Sequence, residues 1–442
     1  MRKLIFTVLF LIPAMLFANG AREDDGRVHI TWWHSNSGVI GEASDQLVED
    51  FNEGIGAQEG IVVEAIYQGS ANDTLTKLRT VAQGDDVSQL PDLVQLDATG
   101  VVDMAGNRHL YYMEDLAADQ GDDLSFALDH ALESMRYQGK VIGLPFNAST
   151  LLFYYNKTLF DSLGLEPPRT LDDLTAMAPS LIQRDSSGNV TRYAIASVPT
   201  TYELCSFIGM QHGLSYITDM ANGHEGTPTR TVFEEEGTLK AFLVKWQELY
   251  ATGGLNNLTS GVSAEFAAGR TASMLASTSN LTSVLEAIDG RFELGVASVP
   301  MVDEEATGGV NLSGGALFTF HKDAQTERAV WIFTKYLTSA EAQLQWHIAT
   351  GYLPVNKATY EMEEYQAHCE ANPLFAVASS QLLASNPMVT GLWIPNAYQV
   401  YYSFQSNIRA MLEEGGDVDA TVERMAHEID GYLDDFHRQN GD

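Results

Sequence analysis

The segment GLPFNASTLLFYYNKTLF, residues 143–160, decides the fold of this chain. It opens on turn residues, continues through amide and hydroxyl side chains at 147–150, and then becomes apolar and aromatic before Asn156 and a helical pattern. Such a segment is typical of a strand that places polar groups at a cleft and apolar groups in a core. The alternative is an ordinary buried strand before a helix, and only the rest of the chain distinguishes the two.

The first twenty residues have the pattern of a secretory signal peptide. Arg2 and Lys3 precede an apolar run at 4–17, and small residues follow it. A bilayer span takes about 20 apolar residues, so this run is too short to be a comfortable membrane anchor. We therefore predict that residues 1–20 are removed and that the protein is exported to the periplasm.

Composition sets limits on architecture and on partners. The chain has 442 residues, more than one core usually supports, so two lobes are expected. Its formal charge is −34, from 59 acidic and 25 basic residues, which makes nucleic acid and anionic membrane poor partners. Cys205 and Cys369 are the two cysteines, too few for a disulfide scaffold, and the sequence leaves open whether they pair.

Strand and helix patterns alternate through the first hundred residues. Strand patterns at 27–35, 60–69 and 91–100 enclose helical patterns at 41–52 and 72–85. This order favours an open, parallel α/β sheet, in which ligands bind beyond the carboxyl ends of the strands. Trp33 and Asp97 are expected near that edge.

A second α/β alternation follows, and the chain is mainly helical from about 324 onward. We predict an α/β protein with two discontinuous lobes. The N-terminal lobe is expected at 21–132 plus about 273–335, and the C-terminal lobe at 133–272 plus about 336–442.

Motifs for catalysis are missing from the sequence. It has no HExxH, GxSxG, Walker A or CxxC pattern, and its eleven histidines are dispersed. We therefore predict a protein that is not an enzyme and holds no metal or cofactor. An exported glycoside or phosphodiester hydrolase is the alternative, because glycoside hydrolysis needs only two unremarkable carboxylates.

Several motifs occur in the order of a known family. These are WWHS at 32–35, PFNAST at 145–150, YYNK at 154–157, SGGALFTF at 313–320 and TGYLPVN at 350–356. Together they resemble the extracellular solute-binding proteins of ABC importers, family 1, over nearly all of residues 28–435. The resemblance implies a two-lobed periplasmic binding protein fold of type II, whose hinged lobes close on a small-molecule solute. It also implies a monomer that delivers the solute to ABC permease subunits. A receptor that signals on the same fold is a further alternative.

The resemblance also implies a set of ligand-binding residues. Ser149 lies in the PFNAST motif, Ser277 and Thr278 in a serine-rich segment, and Tyr352 in TGYLPVN. A backbone contact is implied in the Gly-Gly turn, at residues 314–315, from Gly314 or Gly315.

One departure bears on the solute. The glycerol-phosphate-binding members of the family have an arginine where this chain has Trp393. Arginine holds phosphate through charge-assisted hydrogen bonds, whereas tryptophan offers a flat apolar face and one N–H donor. We therefore predict a neutral carbohydrate ahead of a glycerol phosphate. Asp97 is expected to accept hydrogen bonds from sugar hydroxyls, with Tyr202 and Trp33 as further walls.

Overall fold

The structure is a computed structural model that describes residues 25–84, 86–307 and 309–441, without the side chains of residues 98, 99 and 103. The predicted signal peptide, residues 1–20, lies outside the described residues. Within the described ranges, no helix has both the length and the apolar character that a membrane crossing requires.

The strands form two main sheets and one short hairpin. They are β1 (Val28–His34), β2 (Ile61–Tyr67), β3 (Leu93–Leu96), β4 (Leu110–Tyr111), β5 (Arg136–Tyr137), β6 (Lys140–Val141), β7 (Leu144–Ser149), β8 (Leu151–Asn156), β9 (Gln183–Arg184), β10 (Val190–Ser197), β11 (Leu255–Asn257), β12 (Thr271–Ser277), β13 (Leu294–Ala297) and β14 (Ser313–Phe320).

Helices cover both sheets and make up most of the last third of the chain. They are α1 (Gly38–Glu53), α2 (Ile55–Glu59), α3 (Ala71–Ala82), α4 (Ala98–Ala105), α5 (Met113–Asp119), α6 (Asp129–Ser134), α7 (Lys157–Leu163), α8 (Leu171–Leu181), α9 (Thr201–Gly209), α10 (Asp219–Gly223), α11 (Phe233–Glu236), α12 (Thr238–Ala251), α13 (Val262–Ala267), α14 (Leu281–Ile288), α15 (Ala324–Leu337), α16 (Ala340–Thr350), α17 (Glu363–Ala371), α18 (Pro373–Ala384), α19 (Ala397–Glu414) and α20 (Val418–Asn440).

Each lobe is built on one sheet, and the two sheets have the same plan. The first has the order β2-β1-β3-β14-β4, with β7 also paired to β14; the second has the order β11-β10-β12-β8-β13, with β9 beside β10. In each, three neighbouring strands are parallel, and the fourth runs antiparallel to them. That fourth strand, β14 or β8, begins at a point where the chain crosses between lobes. The predicted two-lobed α/β architecture is confirmed.

The opening segment is one of these crossings. β7 pairs with β14 in the first sheet, and β8 pairs with β12 and β13 in the second, so only Thr150 separates the two lobes here. β8 ends at Asn156, whose side chain accepts a hydrogen bond from the Leu159 N–H and caps α7. The segment therefore contributes one strand to each sheet, as its change from polar to apolar residues suggests.

The two lobes have separate aromatic cores. In the first lobe, Trp32 packs edge-on against Phe146 with ring centroids 5.8 Å apart, and Phe146 stacks on Trp346 at 4.5 Å. In the second lobe, Phe242 stacks on Trp246 at 5.3 Å. All of these rings are completely buried, so each lobe has its own source of stability.

The lobe boundaries predicted from the sequence are wrong at three places. β7, which begins at Leu144, belongs to the first sheet rather than the second lobe, and β12 and β13 belong to the second sheet rather than to a first-lobe return at 273. The return begins near Ser313, with β14. It also extends past 335, because α16 packs against α1. Sheet membership depends on pairing between distant strands, which local sequence patterns do not specify.

Candidate functional site

A cavity of about 220 Å³ lies where the carboxyl ends of β1 and β3 meet the start of β14. This is the edge at which open α/β sheets bind ligands. Four residues predicted from the sequence line it: Asp97, Gly314, Gly315 and Tyr352. The full lining is Ser35, Asn36, Ser37, Ile40, Gln95, Leu96, Asp97, Asn147, Gly314, Gly315 and Tyr352.

Two glycines let the backbone of β14 approach its neighbours closely. Gly314 has φ +114°, and a Cβ added there would lie 1.6 Å from the Asn147 carbonyl oxygen. At Gly315 an added Cβ would lie 2.8 Å from Nε2 of Gln95. Any larger residue would push these neighbours into the cavity or break the strand pairing, so Gly314 and Gly315, which lie in β14 rather than in a turn, shape the wall of the site.

A group of hydroxyl side chains from both lobes surrounds Tyr202 and Tyr352. Burial raises the pKa of the Tyr202 hydroxyl, and the neighbouring Ser277 and Ser149 hydroxyls partly offset that effect. Burial likewise raises the pKa of Tyr352, with a partial offset from Asn147 and Ser279. The structure thus brings Ser149, Ser277, Tyr202 and Tyr352 together with Ser279, which donates to Oγ of Ser277 at 3.0 Å.

Thr278 occupies the hinge rather than the cleft. Its hydroxyl accepts from the Thr150 N–H at 2.9 Å and donates to the Thr150 carbonyl oxygen at 3.2 Å, and the side chain is buried. This pair ties the crossing at Thr150 to the end of β12. The predicted ligand contact from Thr278 is therefore corrected: the hydroxyl is buried, its O–H donates within the chain, and its oxygen already accepts one hydrogen bond there.

Trp33 and Trp393, the two tryptophans predicted to form walls of the cleft, are not among the residues that line the first cavity. Trp33 pairs with Ile66 and Val94 within the first sheet and packs on that lobe's core, away from the lining of the cavity. Trp393 is only 3% exposed, and its ring stacks on His224 at 4.1 Å. In this structure the Trp393 face expected to meet a sugar is covered by protein rings instead.

Of the three amides that line the cavity, Asn147 belongs to the segment predicted to lie at a cleft, whereas Asn36 and Gln95 were not predicted. Asn36 and Gln95 form a reciprocal pair, with Nδ2 of Asn36 donating to Oε1 of Gln95 at 3.0 Å and Nε2 of Gln95 donating back to Oδ1 at 3.2 Å. Asn147 donates to the same Oδ1 of Asn36 at 3.1 Å. The asparagine within the PFNAST motif was a signal for Asn147, whereas Gln95 sits in a buried strand and has no local signal.

A second cavity, of about 360 Å³, lies between the lobes. First-lobe residues of α3 and α4, including Arg79, form one side, and the segment 394–399 with Phe436 forms the other. The two cavities have no lining residue in common. The lining of the second includes the Arg79 guanidinium, whereas no described residue that lines the first cavity is basic.

The described residues include neither a cluster of candidate metal ligands nor a disulfide. In the described ranges, no three His, Cys, Asp or Glu side chains are grouped so as to hold a metal ion. Both cysteines are free thiols. Burial raises the pKa of Cys205 to about 12, so this thiol stays protonated near neutral pH.

Comparison with known proteins gives the family. A family model described as a bacterial extracellular solute-binding protein matches residues 46–373. The chain belongs to this family. Among curated relatives is the sn-glycerol-3-phosphate-binding periplasmic protein UgpB of Yersinia pestis bv. Antiqua (strain Antiqua). This solute-binding protein is 25% identical to it over 427 residues, and the matched region covers 93% of each chain.

Solved structures show the fold of the solute-binding protein. The cyclic alpha-maltosyl-1,6-maltose binding protein of Arthrobacter globiformis matches with a TM-score of 0.76 and 22% identity, over 92% of this chain and 99% of its own. UgpB of Mycobacterium tuberculosis in complex with glycerophosphocholine matches with a TM-score of 0.74 and 23% identity, over 92% and 98%. The fold is that of two-lobed, type II periplasmic binding proteins.

Proposed function

We propose that this chain is the solute-binding component of an ABC importer. It is exported through residues 1–20, acts as a monomer in the periplasm, captures a carbohydrate or a glycerol-phosphate-like solute and delivers it to the membrane permease. The observation that carries the proposal is the polar cavity at the strand ends of the first lobe, because Tyr352 in its lining lies beside Ser279 and Tyr202 of the second lobe. A solute bound there contacts both lobes and stabilises their closure.

A carbohydrate fits the first cavity better than a phosphate ester. Its lining consists mainly of neutral amide, hydroxyl and backbone groups with one carboxylate, Asp97, and none of its described residues is basic. Sugar hydroxyls both donate and accept hydrogen bonds, so they suit such a mixed wall. A phosphate dianion has only acceptors, and none of the described residues that line this cavity offers it a cation.

A glycerol phosphate is the second candidate. Arg79 stands at the second cavity, and guanidinium groups are well suited to phosphate. The relatives named for sn-glycerol 3-phosphate and the structure with glycerophosphocholine support this candidate, and the Arthrobacter protein supports an oligosaccharide.

Titration calorimetry with four compounds tests the proposal. We expect saturable binding of maltotriose or D-tagatose, and weaker or no binding of sn-glycerol 3-phosphate and glycerophosphocholine. Each compound should be recovered intact after long incubation, as chromatography would show. Binding of the phosphates alone would reverse the order of the two candidates. Cleavage of any compound would favour the exported hydrolase, and failure to bind all four would contradict the proposed solute classes.

A further inference from the structure

A chain of hydrogen bonds under the first cavity runs in one direction, from amide nitrogens to oxygens, in this structure. It starts at the Ile40 carbonyl oxygen, which can only accept, and which receives the Ser44 hydroxyl at 3.0 Å. The Ser44 oxygen therefore accepts from Nδ2 of Asn36, at 2.8 Å. This fixes Nδ2 of Asn36 toward Ser44 and leaves its Oδ1 as an acceptor.

The same direction is imposed on Asn147. Oδ1 of Asn36 accepts from Gln95 and from Nδ2 of Asn147. Turning the Asn147 amide over would place two carbonyl oxygens against each other, at a separation where a hydrogen bond now lies. The Asn147 amide nitrogen therefore faces Asn36, and its oxygen must face the other way.

The Asn147 side-chain oxygen has no hydrogen-bond partner in the part of the chain that the structure describes. The residue is 5% exposed and lines the cavity, and Oδ1 makes no hydrogen bond among the described residues. The Tyr352 hydroxyl lies near this amide, yet no hydrogen bond joins it to Oδ1. Leaving a buried amide oxygen unpaired is costly, so folded proteins rarely do so without a reason.

We propose that Oδ1 of Asn147 is a specificity-determining acceptor that receives a hydroxyl or N–H donor of the bound solute. The inference rests on the proposed function and deepens it, because it assigns the donor-bearing, polyol part of the solute to the first-lobe wall. Asn36 and Gln95 are positioning residues that hold the acceptor in place. An unprotonated phosphate oxygen has no proton to give to Oδ1, so any phosphate of a solute lies away from this wall.

The test compares Asn147→Leu with a matched control, Asn407→Leu, using maltotriose, D-tagatose and glycerophosphocholine as titrants. Asn407 is also buried, but its amide is fully paired, with Ser403 at 2.9 Å, Glu428 at 2.8 Å and Arg424 at 2.6 Å. For Asn147→Leu we expect affinity to fall at least tenfold while the apo melting temperature stays close to that of the wild type. For Asn407→Leu we expect the reverse, a lower melting temperature with the affinity retained.

Three results would overturn the inference. They are unchanged affinity in Asn147→Leu, a fall in its apo melting temperature that matches the Asn407→Leu control, and wild-type protein that binds none of the three titrants. The last also contradicts the proposed solute classes, whereas the first two leave the proposed function intact. If Asn147→Leu does not fold, Asn147→Ala removes the same acceptor without adding bulk, and the same results apply to it.

Discussion

Replacing Gly314 by alanine is expected to lower the free energy of unfolding by about 3 kcal/mol or more, since strained φ and overpacking each cost about 1–3 kcal/mol. The residue has φ +114°, which L side chains rarely adopt, and the new Cβ would lie 1.6 Å from the Asn147 carbonyl oxygen. That oxygen belongs to the backbone of β7 and cannot turn away as a flexible side chain would. Relief requires β7 and β14 to separate at the crossing between lobes, where Gly314 pairs with Ala148.

Denaturant unfolding of the apo protein measures this loss, with Gly431→Ala as the control. Gly431 lies inside α20, and an added Cβ there meets no heavy atom within 4 Å. Alanine at that position should be neutral or stabilising by roughly 0.5–1 kcal/mol. If Gly314→Ala proved as stable as wild type, the close pairing of β7 and β14 described here would be wrong.

Acid is expected to weaken solute binding through His224, which joins the lobes. Its ring nitrogens lie 3.0 Å from the Arg136 carbonyl oxygen on the first-lobe hairpin and 3.1 Å from that of Gly391, while its ring stacks on Trp393. Burial lowers the pKa of His224 to about 4, although both carbonyls and the charge of Glu133 act to raise it. Opening of the lobes would remove the Arg136 side of this pocket and return the ring to water.

The lowered pKa of His224 determines the direction in which pH changes the affinity for solute. Burial disfavours a charged His224 in the conformation seen here, even though its two carbonyl partners could accept from both N–H groups of the charged ring. The advantage of this conformation is therefore fully present above the ordinary histidine pKa of 6.5 and is lost as pH falls toward 4. With these two pKa values the affinity for solute should fall roughly twentyfold between neutral pH and pH 5. Titration calorimetry at a series of pH values measures this change in affinity, with a compound that binds the wild-type protein as the titrant.

Two variants separate His224 from the other titrating groups. His224→Asn keeps a donor for the Arg136 carbonyl but does not titrate, so its affinity should change little over the same pH range. His212→Asn alters an exposed histidine, whose side chain is 58% accessible, and should retain the wild-type profile. An unaltered loss of affinity in His224→Asn would show that the acid response, if present, arises elsewhere.

Much of the architecture could be predicted because it depends on local patterns. Alternating strand and helix signals gave the two α/β lobes, and the polar-to-apolar change within residues 143–160 marked a crossing between them. The predicted lobe boundaries were wrong because strands such as β12 and β14 have similar sequence patterns. Only pairing with β8 or β3 assigns them to a lobe.

The same distinction holds within the site. Motif residues such as Ser149, Gly314 and Tyr352 could be located, since short segments fix their positions. Gln95 could not, because its role depends on a partner 59 residues away in sequence. The position of His224 could not be predicted either. It follows a left-handed turn at 220–222, a backbone conformation that residues other than glycine seldom adopt.

The central claim is that an unaltered solute binds between the lobes, against the wall formed by Asp97, Asn147 and Tyr352. A crystal structure of the protein with maltotriose, or with the compound of the titration panel that binds most tightly, tests it most directly. We predict intact ligand in contact with both lobes, with one of its hydroxyl groups within hydrogen-bonding distance of Oδ1 of Asn147. Ligand bound to the outer surface of one lobe, or present only as cleavage products, would contradict the claim.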